Sequence, residues 1–373
     1  MANTTNPFYY GNEVYKDDFC NRIDELKELK QDVYSGLNVF LYAPRRFGKT
    51  SLLKRLQNDL KKDGDVVVVY FDMFTVSSVD EFIQKYFNLL ANSFESSTDK
   101  ILNLFKNIFK IRPNITMNIS SNSDLSYGLL LNKKEEQHNF EDILNLPYLY
   151  AEKFNKKVVV IFDEFQEVEQ LKIEKKPRSI IQTHSRSVSY LFSGSKKSIL
   201  TKMFNDKDRA FYKSVKHLKI DEIKEAEWIE FISKKFTKSD KSIEQNLIKK
   251  CFEITLGYPY YMQQLMYFIW NNTKDKADET IVQNSIDLML ERESDIYSLV
   301  WTNLTPNQKS TLKYIVQKNG ESLYSNENLS DLKLSASTLK SVLESLIKKD
   351  IIDKKNDKYY LIDPFMKYWL ENV

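Results

Sequence analysis

Residues 39–53 read VFLYAPRRFGKTSLL. An apolar run leads into a loop of Ala43, Pro44, Arg45, Arg46, Phe47 and Gly48, and a helical pattern opens at Lys49, Thr50 and Ser51. Phosphate binding needs this order. A strand delivers the loop, backbone N–H groups wrap the anion, and the following helix turns its positive end toward it. In such a loop Lys49 reaches the β/γ-phosphates and Thr50 offers its hydroxyl to Mg²⁺. The stretch departs from G-x-x-x-x-G-K-[ST] at its first position, where Ala43 stands for glycine. Alanine is tolerated there provided its φ is not positive. A G-K-T after an apolar run also occurs as an ordinary turn, so a second motif has to support it.

That second motif is Val158-Val159-Val160-Ile161-Phe162 followed by Asp163 and Glu164. An apolar strand buried on both faces, with two acids at its C-terminal tip, projects carboxylates into the crevice where α/β sheets bind ligands. Asp163 then holds Mg²⁺ through water, and Glu164 orients or deprotonates the attacking water. Acids at a strand end are ordinary turn residues on their own; following a phosphate loop in this order they are not. A third strand, 189–195, ends in Ser193-Gly194-Ser195, and Ser193 is placed to feel a γ-phosphate or simply to make a turn. Lys196, Lys197 and Arg209 beyond it are candidate phosphate sensors or plain solvated cations.

The elements that must position these residues follow from periodicity. Leu52, Leu53, Leu56 and Leu60 have helical spacing, Asp63-Gly64-Asp65 breaks it, and 66–71 is a β-branched run ending in Asp72. Strand, loop, helix, strand is the βαβ unit of an α/β domain. Helical patterns continue at 79–94, 100–109 and 140–154. Between them Ile115, Met117 and Ile119, then Leu125, Tyr127, Leu129 and Leu131, alternate with polar residues as an inserted hairpin near 113–132. From about 218 onward amphipathic helices follow one another, and Gly257-Tyr258-Pro259 ends one and opens the next. Residues 304–373 read as three helices and a hairpin, a winged helix. The expected domains are therefore 1–217, an α/β P-loop sheet; 218–303, an all-α lid; and 304–373, the winged helix. Residues 335–360 are the candidate DNA contact, since a winged helix often puts its third helix in a major groove. Glu344, Asp350, Asp353 and Asp357 interrupt the lysines there, and the third helix has no Arg, so the basic footprint is weak.

Composition excludes several classes. A net charge of +3 over 373 residues with a pI near 8.4 is not that of a polyanion-binding tail. Cys20 and Cys251 lie far apart, and His138, His184 and His217 are scattered, so neither a disulfide framework nor a zinc site is supported. The N-terminus lacks the basic-then-apolar run of a secretory signal, and the longest apolar runs fall short of a membrane span. A reducing cytoplasm is the expected compartment, with no membrane partner.

Taken together, these residues resemble the archaeal and bacterial ATPases of the STAND branch of the AAA+ class over nearly the whole chain. Phe19-Cys20-Asn21-Arg22-Ile23-Asp24-Glu25 looks like that group's apolar-apolar-Gly-Arg-Glu box, with Asn21 for Gly. Ala43 to Ser51 is similar to its phosphate loop, Phe162 to Gln166 to its acidic strand end, and Phe192-Ser193-Gly194-Ser195 to its sensor strand. Gly257-Tyr258-Pro259 is similar to the G-x-P turn of its lid, and Asp363-Pro364-Phe365 with Trp369 resembles the close of its winged helix. The resemblance implies an ATP- and Mg²⁺-dependent switch of slow turnover, with nucleotide between α/β domain and lid and with Arg22 and Pro259 on the adenine side. It implies a protein partner and allows self-association. Two other readings are an ATP-modulated DNA-binding regulator and a catalytically silent nucleotide-bound scaffold.

Overall fold

The computed structural model describes residues 5–11, 18–94, 114–119, 125–130, 136–171, 173, 175–184, 186–194 and 215–371. The expected helix at 100–109 and the cations Lys196, Lys197 and Arg209 lie outside the described residues. By internal contacts the chain forms two units: Arg22–Asp221, and Met1–Asn21 together with Glu222–Val373.

The first unit carries α1 (Ile23–Tyr34), β1 (Val39–Tyr42), α2 (Lys49–Lys61), β2 (Val66–Asp72), α3 (Val79–Ser93), β3 (Asn114–Ile119), β4 (Leu125–Leu130), α4 (Glu136–Phe154), β5 (Lys157–Asp163), α5 (Lys175–Ile181), β6 (Val188–Gly194) and β7 (Lys216–Lys219). Its five-stranded sheet has the order β2-β5-β6-β1-β7, with every pair parallel. β3 and β4 form a separate antiparallel ribbon, Asn114 opposite Leu130. The valine-rich β2 and β5 pair from Val66↔Lys157 to Asp72↔Asp163, and continuous apolar sequence is what two covered faces require. β7 has no such signature. Its sequence KHLK is mostly polar, yet it forms the sheet edge, where Lys216 donates to both carboxylate oxygens of buried Asp32 on α1, each at 2.8 Å, and pairs with Glu28.

The core under the sheet is aromatic: Phe71, Phe82, Tyr86, Phe162, Tyr190 and Phe192 are buried within one cluster. At its margin, His184 has Nδ1 2.7 Å from the Tyr190 hydroxyl and Nε2 3.0 Å from Asn145 Oδ1. The Asn145 amide nitrogen donates to the Glu141 carbonyl, so Oδ1 accepts from Nε2–H, and Nδ1 accepts from the phenol. Both ring nitrogens are thus used by the neutral imidazole, and burial pushes its pKa down to about 4. The unfolded chain therefore binds a proton that the folded chain refuses between pH 6.5 and about 4. Stability from this group is complete above that window and lost as pH falls through it. Chemical denaturation is expected to show a loss of about 2 kcal/mol between about pH 7 and about pH 5, and His184→Gln to flatten that part of the profile.

The second unit contains α6 (Glu225–Thr237), α7 (Gln245–Thr255), α8 (Pro259–Asn272), α9 (Glu279–Thr302), α10 (Pro306–Gln317), α11 (Asn326–Leu332), α12 (Ala336–Lys348), β8 (Ile352–Lys355), β9 (Lys358–Leu361) and α13 (Pro364–Glu371). The last helices and the β8-β9 hairpin make the winged helix. Asn356 and Asp357, both at positive φ, form its two-residue turn, as residues that tolerate the left-handed region should. Asp363 joins the winged helix to the helices before it. It accepts from the Tyr261 phenol on α8, from Tyr297 on α9 at 3.2 Å, and from the backbone N–H groups of Phe365 and Met366. The N-terminal segment also packs in this unit. Phe8 is buried against Phe231 and Phe236, and Lys235 holds the Pro7 carbonyl and the Asp18 carboxylate, the latter at 2.6 Å.

Candidate nucleotide site

The loop between β1 and α2 carries its left-handed residues at Arg46 (φ 68°) and Gly48 (φ 80°), and Ala43 is not among them. The condition for alanine at the first loop position is therefore met. A Cβ built on Gly48 would meet nothing within 4 Å, so the mouth of the loop is open where an anion would lie. Lys49 is buried, with its ammonium donating to the carbonyls of Ala43 at 2.8 Å and Pro44 at 3.0 Å. Burial pushes its pKa down to about 8, against the carboxylates of Glu164 and Asp163, which raise it. A buried ammonium on neutral carbonyls gains most from an incoming polyanion.

Thr50 donates from Oγ1 to Asp163 Oδ2 at 2.9 Å across 113 residues of chain. The loop and the acidic strand tip therefore meet, although β6 stands between β1 and β5 in the sheet. On β6, Ser193 pairs with Leu41 of β1, one residue past the Phe192↔Phe162 pair with β5. Its hydroxyl is fully buried and, among the described residues, has no hydrogen-bond partner. Asp163 Oδ1 accepts the Glu164 N–H at 3.0 Å. Glu164 lies at φ 51°, a left-handed turn that starts the 3-10 segment Phe165–Glu169. Its carboxylate accepts from the Gln166 amide, whose own oxygen is buried and, among the described residues, has no hydrogen-bond partner.

Arg22 is buried before α1, where Asn21 (φ 52°) and Arg22 (φ 68°) are both left-handed. Asn21 thus fills the position expected of glycine because asparagine tolerates this conformation better than most side chains. Arg22 Nη1 donates to Glu25 Oε1 at 2.7 Å and to the Asp221 carbonyl at 2.6 Å, just beyond Ile220, whose N–H reaches the Tyr42 carbonyl at the end of β1. Arg22, the loop residues Ala43 to Ser51, Asp163, Glu164 and Ser193 all belong to the first unit. Pro259 belongs to the second, where it opens α8 after Gly257 (φ 67°); a Cβ on Gly257 would meet Phe252 at 2.5 Å and the Ile223 carbonyl at 3.0 Å.

Two residues at the site escaped the sequence reading. Tyr70 sat inside the apolar run of β2, and its hydroxyl donates to Asp163 Oδ2 at 2.5 Å. Gln166 stood within the acidic motif with no role. The only signal for Tyr70 was a polar-tipped residue two positions before Asp72 on a strand expected to be covered on both faces.

The donor set fits a hard cation: a threonine hydroxyl and an aspartate carboxylate converge, and Mg²⁺ takes its remaining ligands from water and phosphate oxygens. The open loop with its buried ammonium fits a polyphosphate.

Sheet order, loop and winged helix define a P-loop ATPase fold with a C-terminal winged helix. Residues 19–265 match the family described as an ATPase domain predominantly from Archaea, and the chain belongs to that family. Residues 295–372 match a probable winged helix domain. Two uncharacterized ATP-binding proteins of Methanocaldococcus jannaschii are 27% identical over 169 residues (42% of this chain) and 26% identical over 196 residues (50% of this chain). The matched stretch spans 44% of each, less than half the length of these relatives. Among solved structures, a Walker-type ATPase of Pyrococcus abyssi aligns with a TM-score of 0.66 at 17% identity, covering 96% of this chain and 98% of that one. The ORC2 protein of Aeropyrum pernix aligns with a TM-score of 0.55 at 14% identity, covering 98% and 95%. At these identities the likeness is one of fold. Among the described residues no helix is long and apolar enough to cross a membrane.

Proposed function

We propose that the chain is a Mg²⁺-dependent ATPase of slow turnover that acts as a regulatory switch of the STAND type. The observation that carries this reading is the Thr50–Asp163 hydrogen bond, which brings the phosphate loop and the acidic strand into one constellation beside Glu164. Thr50 and Asp163 would hold Mg²⁺, which when bound would supply positive charge against that developing on the phosphate. Thr50, with its proton directed at Asp163, keeps its oxygen lone pairs for the cation. Lys49 exchanges the Ala43 and Pro44 carbonyls for phosphate oxygens. Glu164 orients the attacking water and takes up its proton, and Ser193 donates its free hydroxyl toward the terminal phosphate. Arg22 and Pro259 are the proposed adenine-side contacts. The Gln166 amide donates to the Glu164 carboxylate and orients it, leaving lone pairs on that carboxylate for the attacking water. The triggering signal would be read by a protein partner.

The winged helix lends less support to DNA binding. Lys354 pairs with Asp357 at 2.7 Å and Lys358 with Glu321 at 2.9 Å, so cations of the wing already face carboxylates. The discriminating experiment is phosphate release from ATP with Mg²⁺ and with EDTA. Release at a measurable rate only with Mg²⁺ is the expected result. Nucleotide binding with no release under either condition would leave a silent scaffold in its place.

A further inference from the structure

Asp163 Oδ2 accepts two hydrogen bonds, one from Thr50 and one from the phenol of Tyr70. Tyr70 stands on β2 opposite Ile161 of β5, two residues before the acid on the neighbouring strand. Lys54, one helical turn beyond Thr50 on α2, places its ammonium 3.8 Å from the centroid of the Tyr70 ring. A cation held over an aromatic face is attracted to the ring. It also draws electron density from the phenol, which makes the O–H a stronger donor. The ring is therefore fixed from one side by α2 and from its tip by Asp163.

We propose that Tyr70 is a positioning residue for divalent metal: its hydroxyl holds the Asp163 carboxylate in the rotamer that, together with Thr50, presents the cation with its oxygen donors. The inference rests on the reading of the site as Mg²⁺-dependent. With Oδ1 held by the Glu164 N–H and Oδ2 held by Thr50 and Tyr70, the carboxylate cannot twist about its Cβ–Cγ bond. Without the phenol, Oδ2 keeps Thr50 alone among the described residues, and that hydroxyl is itself free to rotate. Partners that orient a metal-binding carboxylate govern metal affinity without touching the metal. Lys49 occupies the loop carbonyls of Ala43 and Pro44, and nucleotide binding in the absence of metal is expected to rest on this lysine and the loop amides.

The test is the binding of a fluorescent ATP analogue to the full chain, titrated with MgCl₂ and repeated in EDTA, for the wild type and for Tyr70→Phe. The substitution keeps the ring under Lys54 and deletes only the hydroxyl. The Mg²⁺ concentration at half-maximal enhancement of binding is expected to rise about tenfold, while affinity in EDTA and the thermal unfolding midpoint stay at wild-type values. A half-maximal Mg²⁺ concentration that is unchanged or falls overturns the proposal. So does an equal loss of affinity in EDTA, which would mark a general distortion of the site. A wild type that ignores Mg²⁺ would overturn the metal-dependent reading itself, whereas a responsive wild type with an unshifted Tyr70→Phe overturns the role of Tyr70 alone.

Discussion

Lys49→Ala is expected to weaken ATP binding by about 2–5 kcal/mol, roughly thirtyfold to several-thousandfold, without unfolding the protein. The ammonium is buried on two backbone carbonyls, and burial already pushes its pKa down to about 8. In the free protein it is therefore a desolvated charge, and its removal takes away that burial cost together with the two carbonyl contacts. In the complex the same charge would face a polyphosphate in a site with little water, where charge pairing is strong. Isothermal titration with ATP and a thermal melt separate these effects. The expected pair of results is lost binding with an unfolding midpoint equal to or above that of the wild type. Retained binding would mean that the loop amides alone hold the phosphates and that the lysine serves only to brace Ala43 and Pro44.

Glu164→Gln is expected to leave ATP affinity within about twofold while lowering the turnover rate about 10²- to 10⁴-fold, the range for loss of a positioned general base. The amide has the shape of the carboxylate, and its oxygen can still accept from Gln166, so the left-handed turn at φ 51° and the Asp163 contact should persist. Only the capacity to take a proton from water disappears. Single-turnover phosphate release alongside equilibrium binding reads both quantities. Hydrolysis at the parental rate by Glu164→Gln would move the base elsewhere. An ATP-trapped Glu164→Gln protein is also the reagent of choice for capturing a nucleotide-dependent protein partner.

Much of the architecture was legible because it is written locally. The valine runs of β2 and β5, the leucine spacing of α2, the Gly-Tyr-Pro junction before α8 and the Asn356-Asp357 turn each depend on residues a few positions apart. β7 was not legible. KHLK is a poor strand by composition, and its pairing with β1 and the hold of Asp32 on Lys216 are tertiary contacts. The N-terminal segment likewise carries no local sign that Phe8 packs between Phe231 and Phe236 rather than on the sheet.

By itself the sequence determined the ordered pair of motifs, a phosphate loop closed by Gly48-Lys49-Thr50 and an acidic strand tip at Asp163-Glu164, and with them the class of ligand. The tertiary structure decided the rest: that Thr50 reaches Asp163 over 113 residues, that Ser193 lies on the strand between them, and that Tyr70 rather than another residue of β2 supports the carboxylate. Periodicity and turn chemistry are properties of neighbouring residues, and a chain displays them before it folds. Strand order and the choice of hydrogen-bond partner emerge only when distant segments pack, since a parallel sheet can be threaded in several orders with the same apolar runs.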